Sequence, residues 1–383
     1  MRTFNAASRA LTAFVAIATS SGCSGGSSGV APAFPGQLPG SATQSDQQQV
    51  LQDNRFNSIL ALGRSSVPRH AVMTASFMSR DAIGQPLVFV SDAANNVVDI
   101  YRQRGGNKMV GQITGFNFPS GLAVDTARNL YVTTGSSIPI YAPPYTGTPT
   151  STLDDTGYLP NAVAVLPSGT IGVANACNAP SCGSLTGNVV FYASNSTTPC
   201  ATVADPTNFG NLFFDAFDDR GNLFITGQGA SGAWAVGEIK GGCQAKNIEL
   251  LTTMNAISGT TGIQVDKQDR IAVVNGIGGV SNRAIDVYDR PKNGSLGNPI
   301  ATMPLTGSAA PSQFAIRRSG VELYIADQDG ASYEYQYSVG GATKNDPCRR
   351  IALRVGRYPA PFALREPIRT VFAWDTSPHL VGG

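Results

Sequence analysis

The stretch Pro119-Ser120-Gly121-Leu122-Ala123-Val124-Asp125, followed by Asn129-Leu130-Tyr131-Val132, decides the fold of this chain. It reads as a short apolar strand closed by Asp, a tight turn carrying Ala127-Arg128-Asn129, and a second strand. Outward from it the same unit returns at 160–166 with Ile171-Gly172-Val173, and at 215–218 with Leu223-Phe224-Ile225. Further copies lie at 262–266 with Ile271-Ala272-Val273, at 311–317 with Leu323-Tyr324-Ile325, and at 361–365 with Val371-Phe372-Ala373. A degenerate first copy runs from Pro68, with its second strand at Val88-Phe89-Val90. Second strands thus start at 88, 130, 171, 223, 271, 323 and 371, with intervals of 42, 41, 52, 48, 52 and 48. Four short strands and three turns need about 40 to 50 residues, the period of a propeller blade.

A third strand follows and tends to end in tyrosine, as at Tyr101, Tyr141, Tyr192, Tyr288 and Tyr337. Val98 and Ile100 flank Asp99, and Ile285 and Val287 flank Asp286, the period-two pattern of half-buried strands. No sustained 3.6 period occurs, so few helices are expected. The predicted class is all-β, a propeller of four-stranded blades forming one domain over 54–383. Seven second strands imply seven blades, closed by the apolar segment 56–62 pairing as an outer strand beside the last blade. Six blades with a capping hairpin are the alternative. The unit at 119–132 resembles the repeats of NHL and YncE-like bacterial β-propellers. That resemblance implies blades around a channel, with ligands met on one face, and leaves activity open.

The N-terminus reads as an address. Arg2 and Arg9 precede the apolar run 10–19, long enough for a signal peptide and too short to span a bilayer. Ser20-Ser21-Gly22-Cys23 resembles the lipobox of bacterial lipoproteins, although Ser20 stands where Leu is usual. The expectation is a signal peptide over 1–22 and a diacylated Cys23, anchoring the protein on the periplasmic or cell-surface side of a membrane. An ordinary secretory signal ending near Ala31-Pro32-Ala33 is the alternative. Residues 24–49 are Gly, Ser, Pro and Gln with almost no charge, so 23–53 is a flexible linker. Gly25-Gly26-Ser27-Ser28-Gly29 fits G-x-S-x-G but has no strand before it, and belongs to that linker.

Composition narrows the chemistry. Only 14% of the 383 residues are charged, against about 25% in a typical domain. Removal of Arg2 and Arg9 leaves 25 basic against 25 acidic residues, which argues against nucleic acid as a partner. With His70 and His379 the only histidines, the composition argues against histidine clusters and most Ser-His-Asp schemes. Residues 344–383 carry a net +4 and the preceding mature chain a net −4, a basic sector that reads as solvated arginines or as a patch for an anionic surface.

The residues closing the second strands form a column: Asp92, Thr134, Asn175, Gly227, Asn275, Asp327 and Asp375. They read either as a polar mouth for a cation or polyhydroxylated ligand, or as side chains that set the following turns, and repetition favours the turns. Gly227 through Gly232 fits G-x-G-x-x-G but precedes a strand, which makes it a hairpin loop. Asp327-Gln328-Asp329-Gly330 begins like a calcium loop, yet Ser338 occupies the twelfth position, leaving only a looser calcium site. No other cofactor is expected. Export permits disulfides: a local bridge is expected between Cys177 and Cys182, which share one loop, Cys200 and Cys243 in similar places of adjacent blades are the second candidate pair, and Cys348 is left over.

The leading function is a lipid-tethered, monomeric envelope propeller that binds a protein, glycan or small ligand without catalysis of its own. The alternative is a metal-dependent propeller enzyme of the lactonase or streptogramin-lyase kind, with Asp92, Asn175, Asn275 and Asp327 as ligands.

Overall fold

A computed structural model describes residues 75–93, 95–103, 109–178, 186–253, 257, 262–275, 283–305, 311–316, 322–327, 332–337, 349–351 and 372–374. Apart from two 3-10 turns, Arg80–Ala82 and Gly242–Gln244, every regular element among them is a strand. Five units of four antiparallel strands follow one another from Pro119 to Ile351. Numbering the blades in chain order, the second contains Pro119–Val124, Leu130–Thr134, Ser137–Tyr141 and Ser151–Asp154. The third contains Tyr158–Val165, Ile171–Asn178, Asn188–Tyr192 and Pro199–Val203. Asn211–Phe217, Leu223–Gln228, Trp234–Ile239 and Glu249–Thr253 make the fourth, whose outer edge is covered by the parallel strand Ser295–Gly297. The fifth comprises Ile263–Val265, Ile271–Asn275, Ala284–Tyr288 and Ala301–Pro304, and the sixth Pro311–Ile316, Glu322–Asp327, Ser332–Gln336 and Arg349–Ile351.

The remaining sheet, blade one, joins distant parts of the chain. Leu87–Asp92, Val97–Arg102, Met109–Thr114 and Phe77–Met78 lie side by side, and Phe372–Trp374 pairs antiparallel with Leu87–Asp92. Against the expected seven blades, the described residues form six sheets, five of them units of four antiparallel strands. Phe372 does not belong to the second strand of a seventh blade. Its register opposite Val90 matches that of Leu122 opposite Val132, so it occupies an innermost position. An apolar inner strand and an apolar second strand look alike in sequence, and only the partner tells them apart. The proposed closing segment 56–62 lies outside the described residues.

Inner strands touch their neighbours in cyclic order: Pro119–Val124, Tyr158–Val165, Asn211–Phe217, Ile263–Val265, Pro311–Ile316 and Phe372–Trp374, which returns to Pro119–Val124. The core follows the same cycle. Its apolar clusters lie between adjacent blades, and one joins Val88, Val90 and Tyr101 of blade one to Ala315, Tyr324 and Ala326 of blade six.

At one level the inner strands break register, a repeated bulge. Extra residues stand at Ser120-Gly121, Asn161, Phe213 and Ser312-Gln313. A bulge turns backbone and side-chain polar groups out of the ladder, and here they reach the next blade. Ser91 Oγ donates to the Ser120 carbonyl (2.7 Å), Ser120 Oγ to the Asn161 carbonyl (3.1 Å), and Asn161 Nδ2 to the Phe213 carbonyl. The Gly262 amide donates to the Ser312 carbonyl at 2.8 Å. Glycine is required at this junction, because a Cβ on Gly262 would lie 2.4 Å from the Ser312 carbonyl oxygen and one on Gly121 2.6 Å from Ala162 Cα.

Candidate functional site

Each inner strand runs toward its Asp-closed turn and the second strand runs back. The turns therefore share one end of the molecule, while the second-to-third-strand loops and the connections between blades share the other.

At the loop end the column is engaged within its own blades. Asp92 accepts from the Asn95 amide (3.0 Å) and from Asn95 Nδ2 (2.7 Å), fixing the loop that follows. Thr134 Oγ1 accepts from the Asn117 amide at 2.9 Å and donates to the Asn117 carbonyl at 2.7 Å. Asn175 Nδ2 donates to Asn188 Oδ1 (2.9 Å), closing the base of the next loop. The fourth second strand runs past Gly227 to Gln228, whose Nε2 donates to the Gly232 carbonyl, and the glycine-rich segment there is a hairpin loop. Asn275 Nδ2 donates to Asp286 Oδ2 (2.8 Å), while Thr302 Oγ1 donates to the other oxygen of that carboxylate (2.6 Å). Asp327 ends its strand opposite Pro311; its side chain, Asp375 and the rest of the calcium-like loop lie outside the described residues.

Two buried acids near this end have altered titration. Burial pushes Asp99 up to about 6, against hydrogen bonds from Gln112 (2.8 Å) and Tyr101 (3.4 Å). Burial likewise pushes Asp155 up to about 6, opposed by hydrogen bonding from Asn175 and Tyr192. Tyr192 Oη lies 3.4 Å from Asp155 Oδ1 and 2.9 Å from the Asp154 carbonyl. Asp155 Oδ2 and Asn175 Oδ1 are buried without a donor from the protein. Nothing in the sequence marked Asp155 apart from its loop neighbour Asp154.

The same end also carries apolar surface. Trp234, half-buried at the start of its strand, lies against Phe213 with ring centroids 5.0 Å apart, and both pack with Leu159, Ala176 and Cys177 across the third and fourth blades. Half-buried Tyr158 precedes Leu159 in the chain and packs on the neighbouring cluster between blades two and three.

At the opposite end the recurrent Asp is a turn clamp. Asp125 accepts from the amide and Nδ2 of Asn129 (2.7 and 2.8 Å), and Asp218 does the same for Asn222 (2.8 and 2.9 Å). Asp266 holds the amides of Gln268 and Arg270, the Arg270 guanidinium, and Tyr337 Oη of the sixth blade at 3.0 Å. The terminal tyrosine of one blade thus bonds the turn of the preceding blade. Arg290 Nη2 gathers Asp218 (3.4 Å), Asp219 (3.2 Å) and Asp269 (2.5 Å), filling with its own charge the place where three carboxylates converge. Burial and the adjacent Asp219 raise Asp269 above the ordinary carboxylate range.

Cys200 and Cys243 form a disulfide with Cα atoms 5.1 Å apart, joining the outer strand of blade three to a turn of blade four. Cys177 is buried and disulfide-bonded. Cys182, Cys348, Cys23, His70 and His379 lie outside the described residues. Among the described residues no group of three or more His, Cys, Asp or Glu is placed to hold a metal ion, and no helix is long and apolar enough to cross a membrane.

No protein-family model matches the chain, and no curated protein matches it. Solved structures do. A chain from the crystal structure of a nidogen/laminin complex aligns with a TM-score of 0.52 at 14% identity, covering 76% of this chain and 98% of that one. A protein of unknown function from Bacteroides caccae aligns with a TM-score of 0.51 at 13% identity, covering 76% and 99%. This chain is a β-propeller. At these identities the likeness carries the fold alone, and function has to be argued from the propeller's own surface.

Proposed function

We propose that this protein is an exported, lipid-tethered β-propeller of the NHL/YncE-like kind, a monomeric interaction module that binds a protein or glycan of the cell envelope and catalyses no reaction itself. The observation that carries the reading is the engagement of Asp92, Thr134, Asn175 and Asn275 with partners in their own blades. A catalytic centre needs convergent groups free to reach a substrate, whereas these side chains shape loops. What the loop end offers to a ligand is the apolar and aromatic surface of Leu159 and Trp234, with Tyr158 next to it in the chain, across blades three and four. A nidogen/laminin complex among the similar folds fits a propeller that serves as a docking surface.

The cyclic contacts of the inner strands support a ring of six blades closed by Phe372–Trp374. The Cys200–Cys243 bond supports an oxidising compartment and hence export. Cys23 is then the lipid-bearing residue, and no metal or organic cofactor is required.

Site-specific photocrosslinking tests the reading. A photoreactive residue at 158 or 234 is expected to trap a discrete envelope partner, while one at Asp219 on the turn end is not. Equal trapping from both ends, or turnover of lactone substrates by the purified protein, refutes it. Mass spectrometry of the mature N-terminus tests the tether separately: a diacylated Cys23 is expected, and an unmodified later start overturns it.

A further inference from the structure

The strand register defines one inner-strand position in all six blades. Leu122 lies opposite Val132, Val163 opposite Val173, Asp215 opposite Ile225, Ile263 opposite Val273, Phe314 opposite Ile325 and Phe372 opposite Val90. Five of these residues are apolar and the sixth is an acid. Asp215 is 3% exposed, and neither of its carboxyl oxygens has a side-chain hydrogen-bond partner. Side chains alternate along a strand. Phe214 and Ala216 pack toward blade five and Phe217 toward blade three, so Asp215 faces blade three, among Ala162, Ala164 and Ala174.

Nothing on that seam compensates the acid. The strands packed against Asn211–Phe217 are Tyr158–Val165, Ile171–Asn178, Leu223–Gln228 and Ile263–Val265, and none carries a charged residue. Their titratable groups are Tyr158, at the far end of its strand, and Cys177, which is oxidised. The outer edge of the same seam is bonded covalently: the turn Gly242–Gln244 packs on Asn188–Tyr192 and Pro199–Val203, where Cys243 joins Cys200.

We propose that the seam between blades three and four is the opening point of the ring, weakened at its inner edge by the uncompensated Asp215 and locked at its outer edge by the Cys200–Cys243 disulfide. Without the disulfide the seam opens reversibly, and more readily as pH rises. The direction follows from linkage. Burial holds the Asp215 carboxyl well above its ordinary range, against the opposing effect of the backbone amides of Ala174 and Asp215. The closed seam therefore binds the proton more tightly than the open one, where the group is hydrated. Above the ordinary Asp range near 4, each pH unit raises the opening constant by up to about tenfold until the closed-state value is reached. Oxidation after export locks a ring that opens readily while reduced.

The test is hydrogen exchange by mass spectrometry on the full chain carrying Cys200→Ser and Cys243→Ser, from pH 5 to pH 8, with intrinsic exchange rates divided out. Residues 171–178 and 211–217 are expected to lose protection by up to about tenfold per pH unit, while 119–141 stay flat. The oxidised parent shows no such slope, and adding Asp215→Asn to the serine pair abolishes it. The proposal is overturned if the seam is as protected as 119–141 at pH 8, if the slope survives Asp215→Asn, or if the oxidised parent opens as readily. Should the serine pair fail to fold at pH 7, adding Asp215→Val must restore folding, and failure there also overturns it.

Discussion

Replacing Asp215 by Val in the oxidised protein should stabilise it, against the usual direction of core substitutions. The change puts an apolar side chain where blades one, two, three, five and six already carry one. Val has one side-chain heavy atom fewer than Asp but fills a somewhat larger volume, so the seam must repack slightly around it. A buried polar group left without a partner costs about 1–3 kcal/mol, and more when charged, while burial of the Val methyls contributes roughly 1.5 kcal/mol. With some loss to an imperfect fit, the expected gain at pH 7 is about 2–4 kcal/mol. At roughly 2 °C per kcal/mol, the scale for larger domains, Tm rises by about 4–8 °C. The gain must depend on pH. Because the folded-state value of Asp215 is raised, its penalty is absent below the unfolded value near 4 and grows as pH climbs. Scanning calorimetry at pH 4 and pH 8 on parent, Asp215→Val and Asp215→Asn therefore separates the parts: Asn removes the pH-dependent part, and Val also removes the unsatisfied polar group. A destabilised Val variant, or a gain equal at both pH values, would refute the reasoning.

Other consequences are open to measurement. Asp99 and Asp155, each raised to about 6 by burial, should cost stability progressively between pH 4 and pH 6. The cost is at most about 3 kcal/mol apiece at 1.36 kcal/mol per unit, and the double Asn variant should flatten that part of a denaturation profile. Asp266→Ala removes the acceptor of two turn amides, the Arg270 guanidinium and the buried Tyr337 hydroxyl, so urea denaturation should report a loss of about 2–4 kcal/mol. Asp154→Ala, at an exposed carboxylate hydrogen-bonded by Thr156, should leave the urea midpoint essentially unchanged. Gly262→Ala forces a Cβ against the Ser312 carbonyl and should lower the yield of folded protein or cost at least 1–3 kcal/mol.

The repeat was legible because blade chemistry is local. A turn needs its Asp and a second strand its apolar alternation, and both sit within ten residues of each other at 119–132. Third strands ending in Tyr101, Tyr141, Tyr192 and Tyr288 lie where the sequence places them. Blade number was not legible because it depends on a non-local pairing, Phe372–Trp374 with Leu87–Asp92, and a strand does not announce its partner. The column at the loop end was legible as a position, while the bonds from Asn175 to Asn188 and from Asn275 to Asp286 needed coordinates. Asp215 was read as the start of a repeat and passed over as an acid. Laid against Leu122, Val163, Ile263 and Phe314, it breaks an otherwise apolar column, a signal already present in the sequence once the bulges are allowed for.

These departures from the repeat gather in one place. Blades three and four carry the three described cysteines, the buried acid Asp215, and the half-buried Trp234 and Leu159. A propeller needs nearly equivalent blades for its ring to close, so each unit is held to the same inner strand, bulge and turn clamp. Freedom to differ is confined to loops and to whatever the ring can tolerate at a single seam. Here the seam that differs inside also differs at the loop end, where the apolar surface lies across the same two blades. A buried acid in the core and an apolar surface in register with it are what a ring would show if ligand recognition and seam closure were coupled. Ligand binding at that surface should then slow exchange at 211–217 in the protein carrying Cys200→Ser and Cys243→Ser and leave 119–141 unchanged. Protection spread evenly over the ring would separate the two.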